Sequence, residues 1–351
     1  MRSALGLMLA SVVAAIVIAG VWFWTSSPRA DAAPPQTTAA AKADALPAAA
    51  AKQATRDDVE TTAALSKRAD ATQAAAPAAA PAPAPAPVAA APRCANPDAL
   101  GISRTVVVDT TGGPGFGFLQ YKQYDFLTDH EVVLTFDDGP WPTTPAVLKA
   151  LADECTKAVF FPIGLHTTYH PDILRQVAAA GHTIGAHTWS HAHLASKKLT
   201  EQQAKDEIEK GFSAVKLALG SNPAPFFRFP ALAHTPATTA YLGTRNIAMF
   251  SVDVDSNDFK SKSSDEVINN VMTKLDKEHK GIILMHDLQK HTAQALPTLL
   301  RKLKAGGYKV VWMKAKTQIE TLPEYDAMMA KTEKPIATGR PIGNVVQTIA
   351  D

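Results

Sequence analysis

The sequence predicts a parallel α/β domain as the folded part of this 351-residue chain. From Val132 onward, short apolar runs typical of buried strands alternate with amphipathic stretches of helical length. This alternation favours parallel β/α architecture, because each parallel strand needs a crossover connection to the next one. The strand signals fit both a barrel and a doubly wound open sheet, and the pattern alone does not choose between them.

Each element is predicted from its periodicity and its flanking residues. The strands are expected at residues 132–136, 158–163, 182–186, 226–229, 247–252, 281–285 and 308–313. The helices between them are expected at residues 144–154, 171–180, 201–219, 236–244, 265–278 and 292–305. Two helix starts carry the residues of a capping box, Thr200 with Gln203 and Ser263 with Glu266.

The first 93 residues are predicted to lie outside the folded domain. Residues 1–25 contain an uncharged apolar stretch from Ala4 to Trp24, which matches the length of a membrane-spanning helix of about twenty residues. We favour an uncleaved membrane anchor over a cleaved signal peptide, because a signal core has only ~7–15 apolar residues. Residues 26–93 are rich in Ala and Pro and predict a disordered linker. Both interpretations place the domain outside the cytoplasm, in the periplasm or at the cell exterior, and cleavage would make the protein secreted.

The remainder divides into an N-terminal arm at 94–130, a main domain at 131–318 and a C-terminal tail at 319–351. Cys94 and Cys155 are the two cysteines of the chain. In an oxidising compartment, a disulfide between them is expected to pin the arm, and two unrelated buried thiols are the alternative. A formal net charge of +2 without a basic stripe in the folded part predicts that nucleic acid is not a partner.

Polar residues follow the predicted strands at their carboxyl ends, where parallel α/β folds gather functional groups. Asp137 and Asp138 end the first strand, and two adjacent carboxylates at the edge of an apolar sheet need partners such as a metal or an arginine. His187 and His191 follow the third strand, and their spacing on a helical turn would let both reach one zinc ion. The zinc-protease motif H-E-x-x-H is excluded, because Thr188 occupies the position of its glutamate.

Three further strand ends carry an arginine, an acidic cluster and a histidine. Arg228 lies in a run of phenylalanines, where it needs an anion such as the aspartate pair. Asp253, Asp255 and Asp258 follow the fifth strand, but a calcium loop is disfavoured because its glycine and distal glutamate are missing. His286 ends the sixth strand and, taken alone, fits a core residue as well as a functional one.

Taken in chain order, these motifs resemble the polysaccharide deacetylase family with the NodB homology domain, carbohydrate esterase family 4. The matching segments are T-F-D-D-G (135–139), H-T-W-S-H (187–191), R-F-P (228–230), D-S-N-D-F (255–259) and L-M-H (284–286). The strand A-V-F-F-P-I-G (158–164) also looks like one of the family. The resemblance covers about residues 130–315, and it implies a distorted (β/α) barrel of the NodB homology type.

The resemblance also implies a division of labour at the site. Asp138, His187 and His191 would bind a divalent metal, usually Zn²⁺. Asp137 would be the general base that takes a proton from water, and His286 would be the general acid that protonates the leaving amine. The two aspartates that open the motif would therefore have different roles.

Supporting roles follow from the same motifs. Arg228 would pair with Asp137, and Asp255, preferred over Asp253 on its spacing, would orient and charge His286. These two pairings would determine the charge and orientation of the base, Asp137, and of the acid, His286.

Three residues are expected to bind the substrate. The backbone N–H of Ala231 would bind the oxyanion, and Phe259 and Leu284 would enclose the acetate methyl group. Ala231 stands where the family often has Tyr, so one wall of the sugar groove is missing. Phe259 replaces a usual Trp, a milder change that keeps the methyl pocket apolar.

The implied activity is the removal of N-acetyl groups from a cell-envelope polysaccharide that contains N-acetylglucosamine, such as peptidoglycan or a chitin-like polymer. The expected partners are this acetylated polysaccharide and, through the N-terminal helix, the membrane. Two alternatives stay open: an esterase that removes O-acetyl groups from a polysaccharide, and an inactive glycan-binding module, for which Ala231 is the main support.

Overall fold

The computed structural model describes residue 94 and residues 96–332. Strands and helices alternate through most of this region, as the sequence predicts. The strands are β1 (Arg104–Val108), β2 (Gly115–Phe116), β3 (Glu131–Asp137), β4 (Val159–Phe161), β5 (Thr183–Ile184), β6 (Phe226–Phe227), β7 (Ala248–Phe250), β8 (Val254–Asp255), β9 (Gly281–His286) and β10 (Lys309–Ala315). The helices are α1 (Thr144–Asp153), α2 (Gly164–Tyr169), α3 (Pro171–Ala179), α4 (Glu201–Leu219), α5 (Pro236–Thr244), α6 (Ser264–Glu278), α7 (Lys290–Ala305) and α8 (Pro323–Thr332).

All of these strands pair in parallel, and β3 lies at the centre of the larger sheet. It pairs with β4 and β9, and its first residues also pair with β10. The sheet extends from β4 to β5, from β9 to β8 and from β10 to β1, while β2, β7 and β6 form a second sheet. A bridge between Ala186 and Phe227 joins the two sheets just after β5. The strands therefore follow one another around a distorted (β/α) barrel, and the doubly wound alternative is excluded.

The alternation of side chains along β3 explains how the barrel positions the site. All seven residues of this strand are buried. Val133 belongs to one apolar cluster with Phe161, while Leu134 belongs to another with the helices. Because successive side chains point to opposite faces, Asp137 shares the face of Val133 and enters the interior of the barrel at its carboxyl end.

Most element boundaries agree with the prediction within one or two residues. The predicted capping box at Thr200 is confirmed, because Thr200 and Gln203 bond each other's backbone N–H groups. The box predicted at Ser263 is only half formed. Ser263 accepts from the backbone N–H of Glu266, but the Glu266 carboxylate accepts from Lys262 instead.

The predicted arm at 94–130 is part of the folded domain. It supplies β1, which pairs with β10, and β2, which pairs with β7. Cys94 and Cys155 form the predicted disulfide, with their Cα atoms 5.7 Å apart. The arm is therefore joined to the barrel by two strand pairings and one covalent bond.

The beginning of the predicted tail also packs on the barrel. Helix α8 lies against α4, where Lys216 donates a hydrogen bond of 2.8 Å to Asp326. The predicted anchor at 1–25, the predicted linker at 26–93 and the tail after residue 332 lie outside the described residues. Among residues that are described, no helix combines the length and apolar character needed to cross a membrane.

Candidate metal centre and active site

Asp138, His187 and His191 converge at the carboxyl end of the barrel strands. A carboxylate oxygen of Asp138 lies 3.5 Å from Nε2 of His187 and 3.4 Å from Nε2 of His191. One ligand atom from each of the three residues lies within 4.8 Å of the others. Two imidazole nitrogens and one carboxylate oxygen are a common ligand set for a divalent metal such as zinc.

Two details of the protein fit the binding of a metal by these residues. The Oδ1 atom of Asp138 is buried and accepts no hydrogen bond, although a buried carboxylate oxygen normally has a partner. His187 donates from Nδ1 to the Arg228 carbonyl at 2.6 Å, which leaves the lone pair of Nε2 directed toward Asp138. Burial lowers the pKa of His187 to about 3, against the opposing charge of Asp138, so the ring stays neutral and able to coordinate.

The histidine pair does not lie on a helical turn, and that part of the prediction is wrong. Thr188 and His191 both have left-handed backbone angles, with φ of 63° and 60°. The loop bends so that the rings of His187 and His191 approach to 5.0 Å between centroids. Asp138 is also left-handed, with φ of 72°, which turns its carboxylate away from the direction of Asp137. Backbone strain of this kind often accompanies functional sites.

Asp137 and Arg228 form a buried ion pair, as the sequence predicts. Nη1 of Arg228 donates to Oδ1 of Asp137 at 2.7 Å and to the hydroxyl of Thr135 at 2.8 Å. Arg228 is fully buried, and its remaining nitrogens donate to the carbonyls of Phe250 and Ser251. This network satisfies a charge that would otherwise be very unfavourable inside the barrel.

The electrostatics of Asp137 suit a base. Burial raises its pKa above the ordinary value, while the charges of Arg228 and His286 partly oppose this change. The second carboxylate oxygen, Oδ2, lies 3.9 Å from Nε2 of His187. A carboxylate with a raised pKa next to the candidate metal ligands is able to accept a proton from water.

His286 is paired with Asp258 and not with Asp255, which corrects the predicted assignment. Nδ1 of His286 lies 2.6 Å from Oδ1 of Asp258, and its backbone N–H donates to Oδ2 of Asp258 at 2.7 Å. Asn257 adopts a left-handed φ of 52° and starts a short 3-10 turn, which swings Asp258 toward His286. The carboxylate of Asp255 instead accepts the backbone N–H of Asn257 at 2.8 Å.

This pairing determines the charge of His286. Burial disfavours the protonated ring, but the hydrogen bond and the charge of Asp258, together with the charges of Asp138 and Asp137, raise its pKa to about 9. Nε2 lies 3.9 Å from a carboxylate oxygen of Asp138, one of the candidate metal ligands. A histidine held in the protonated form with Nε2 in the cleft is able to act as an acid.

The three predicted substrate-binding residues line the same cleft, which has a volume of about 390 Å³. Leu284 is buried, whereas Phe259 is 55% exposed and packs edge-on to the ring of His286 at 5.9 Å. Ala231 has a left-handed φ of 52° in the turn after Arg228. Asp255 lines the cleft as well, so it faces the substrate region without touching His286.

One further carboxyl group next to the site was not predicted. Asp287 is buried behind the D-D-G-P turn, where it accepts a hydrogen bond from Thr144. A side chain at Gly139 would collide with this carboxylate, so the turn and Asp287 pack directly together. Burial raises the pKa of Asp287 to about 7. Its position directly after His286 was the one available signal, and no spacing rule distinguishes it from a surface acid.

Known proteins are similar in sequence to the part of the chain that forms this cleft. A family model described as polysaccharide deacetylase matches residues 127–248. A peptidoglycan-N-acetylglucosamine deacetylase of Listeria monocytogenes is 33% identical over 185 residues, which make up 52% of this chain and 38% of that protein. A peptidoglycan-N-acetylglucosamine deacetylase of Bacillus cereus is 32% identical over 205 residues, which make up 56% of this chain and 72% of that protein.

The fold is shared as well. The structure of a peptidoglycan deacetylase of Bdellovibrio bacteriovorus superposes with a TM-score of 0.55 at 33% identity, covering 61% of this chain and 59% of that one. The chain thus spans less than two thirds of the Listeria and Bdellovibrio proteins and more than two thirds of the Bacillus one.

Proposed function

Because the chain belongs to the polysaccharide deacetylase family, we propose that it hydrolyses N-acetyl groups of a cell-envelope polysaccharide that contains N-acetylglucosamine. The observation that supports this proposal is the convergence of Asp137, His286 and the Asp138–His187–His191 cluster in one cleft. Asp137 and His286 are paired across two neighbouring strands, and a carboxylate oxygen of Asp138 lies 3.9 Å from Nε2 of His286. Peptidoglycan is the favoured polymer, because the similar proteins of Listeria and Bacillus are named for it.

We assign the metal site to Asp138, His187 and His191, and we propose Zn²⁺ as the ion. Such an ion would polarise the acetyl carbonyl and make a nearby water more acidic. The protein contributes the orientation of the ligands, since the hydrogen bond from His187 to the Arg228 carbonyl holds the ring in place.

We assign the two proton transfers to the carboxylate of Asp137, which accepts a proton, and to the protonated ring of His286, which donates one. Asp137 accepts a proton from the attacking water, and Arg228 keeps its carboxylate oriented and ionised. His286 donates a proton to the amine nitrogen as the C–N bond breaks, because an amide anion is a very poor leaving group. The backbone N–H of Ala231 stabilises the oxyanion on the acetyl carbon.

The test is acetate release from peptidoglycan, N-acetylglucosamine oligomers and acetylated xylan, with and without a chelator. We expect release from at least one N-acetylated polymer, loss of activity with the chelator and recovery with added Zn²⁺. Asp138→Ala should lose both metal and activity, whereas Asp137→Asn should keep the metal and lose turnover. A protein that binds no metal and releases no acetate from any of these polymers would be a glycan-binding module instead.

O-acetyl ester hydrolysis is the second candidate within the same cleft, because the same water and base serve both reactions. An alkoxide leaves more easily than an amine anion, so an ester needs less help from an acid. His286→Ala should therefore reduce amide hydrolysis more than ester hydrolysis. Equal and total loss on both substrates would contradict the assignment of His286 as the acid.

We also propose that the N-terminal segment holds the enzyme at the outer side of the membrane. The length of the apolar stretch in residues 1–25 and the Ala/Pro-rich composition of residues 26–93 support this proposal. Fractionation of cells that express the full chain is the test. Recovery in the membrane fraction at full length supports the anchor, and a shortened soluble form outside the cell supports cleavage.

A further inference from the structure

An aromatic cluster lies beside the metal ligands and has no role in the proposed reaction. It combines Trp141, from the turn before α1, with His166, Tyr169 and His170 from α2 and the residue after it. The ring of Trp141 lies 5.0 Å from that of His166 and 5.2 Å from that of His170, between centroids. The ring of Tyr169 lies 6.4 Å from that of His166.

This cluster is hydrogen-bonded to the backbone of Asp138, a residue that lines the catalytic cleft. His166 donates from Nδ1 to the backbone carbonyl of Asp138 at 2.6 Å, so the cluster contacts a metal ligand directly. Trp141 follows that ligand by three positions in the chain. The cluster thus packs against the turn that carries Asp138, whereas Phe259 lies in the cleft and packs on His286.

Two of these rings are exposed although their backbones are firmly held. Trp141 is 36% exposed and Tyr169 is 54% exposed. The backbone N–H of Trp141 donates to the buried hydroxyl of Thr144 at 2.9 Å, and the N–H of Thr144 donates back to the carbonyl of Trp141 at 2.9 Å. Rigid aromatic rings offer a large contact area at a low cost in conformational entropy.

We propose that Trp141 and Tyr169 form a stacking platform for a second sugar ring of the glycan, next to the ring that is deacetylated. This inference rests on the proposed function. The C–H groups on one face of a pyranose ring are apolar and complement the negative face of an aromatic ring. A cleft of about 390 Å³ cannot enclose a polymer, so the chain must leave it across the neighbouring surface. The platform predicts that recognition improves with the length of the glycan.

Steady-state kinetics on the N-acetylglucosamine dimer and pentamer test the platform. In the wild type, we expect KM to be lower for the pentamer than for the dimer. Trp141→Ala should raise KM for the pentamer about 10-fold, the effect of one lost stacking contact, and change KM for the dimer by less than threefold. Tyr169→Ala should act in the same direction. Leu119→Ala, which removes a side chain that is 63% exposed, is the matched control and should behave like the wild type.

The outcomes separate this inference from the proposed function. An active wild type whose preference for the pentamer persists in Trp141→Ala and Tyr169→Ala would overturn the platform and leave the deacetylase assignment intact. If the wild type releases no acetate, calorimetric titration with the pentamer still tests the platform. Binding that weakens about 10-fold in the two variants would support it, and unchanged binding would overturn it. Metal content and circular dichroism identify any variant that fails to fold, and Tyr169→Ala then carries the test.

Discussion

The pairing of His286 with Asp258 leads to a sharp prediction for Asp258→Asn. Asparagine has nearly the same shape, and its carbonyl oxygen can still accept from Nδ1 of His286. The substitution removes the negative charge and the acceptor for the backbone N–H of His286, because an amide NH2 group stands in place of Oδ2. The hydrogen bond to the ionised carboxylate of Asp258, followed by the charge of that carboxylate, is the main influence that raises the pKa of His286 despite its burial. The variant should therefore keep the fold and the metal but lose the acid at neutral and alkaline pH.

The size of the effect follows from the pKa of His286. A rise from 6.5 to about 9 favours the protonated ring by about 3 kcal/mol. Without the charge of Asp258, burial should bring the pKa to about 6.5 or lower. At pH 8 the protonated fraction would then fall from about 90% to about 3%, a loss of about 30-fold in the competent enzyme.

The assay is kcat/KM for acetate release from N-acetylglucosamine oligomers between pH 5 and pH 10. Because the acid must be protonated, the wild type should lose activity as the pH rises through about 9. In Asp258→Asn, this loss should occur near pH 6.5 or below. Asp255→Asn is the matched control, since it neutralises the neighbouring acid. An alkaline limb that stays near pH 9 in Asp258→Asn would refute the reasoning.

Three further predictions concern stability. The hydrogen bond from Arg104 lowers the pKa of Glu131 to about 2. The contribution of Glu131 to the free energy of unfolding is therefore present above pH ~4.5 and is lost as the pH falls through about 2. Glu131→Gln should cost about 1–2 kcal/mol at pH 7 by urea unfolding, reduced because Arg104 is partly exposed, and nothing near pH 2. Burial raises the pKa of Asp287 to about 7. The stability that the protonated Asp287 carboxyl contributes to the fold is therefore present below pH ~4 and is lost as the pH rises through about 7. Metal-free Asp287→Asn should therefore gain about 2–3 kcal/mol relative to the wild type between pH 5 and pH 8, and a constant difference would contradict this. Replacing Cys94 and Cys155 by Ser should lower the free energy of unfolding by about 2–4 kcal/mol for a separation of 61 residues, with kcat/KM unchanged.

The repeating part of the fold was predictable because its signals are local. Apolar runs and helical periodicity located the strands and helices from residue 131 onward, and helix α4 agrees at both ends. The elements that were missed are short or exposed. Strand β1 has three exposed residues, and β2 and β8 have two residues each. Such segments become strands only because a neighbour is available for pairing, and tertiary context of that kind is not visible in a single sequence.

The positions of site residues were predictable where a residue lies at the end of a strand. Asp137 and His286 are paired in register on β3 and β9, and Arg228 follows directly after β6. The histidine pair was located correctly, but its local geometry was not, because Thr188 and His191 adopt backbone angles that their residue types rarely prefer.

The exchange of Asp255 for Asp258 has the same origin. The sequence favours Asp255 over Asp253 on its spacing. Asp255 is the last residue of β8, however, and lies opposite Leu284 of β9 and not opposite His286. The left-handed Asn257 reverses the chain, so that Asp258 is buried against His286 while Asp255 stays at the cleft wall. Two acids three residues apart thus acquire different environments. Asp258→Asn should move the alkaline limb, and Asp255→Asn should instead change KM; the opposite result would restore the assignment made from spacing.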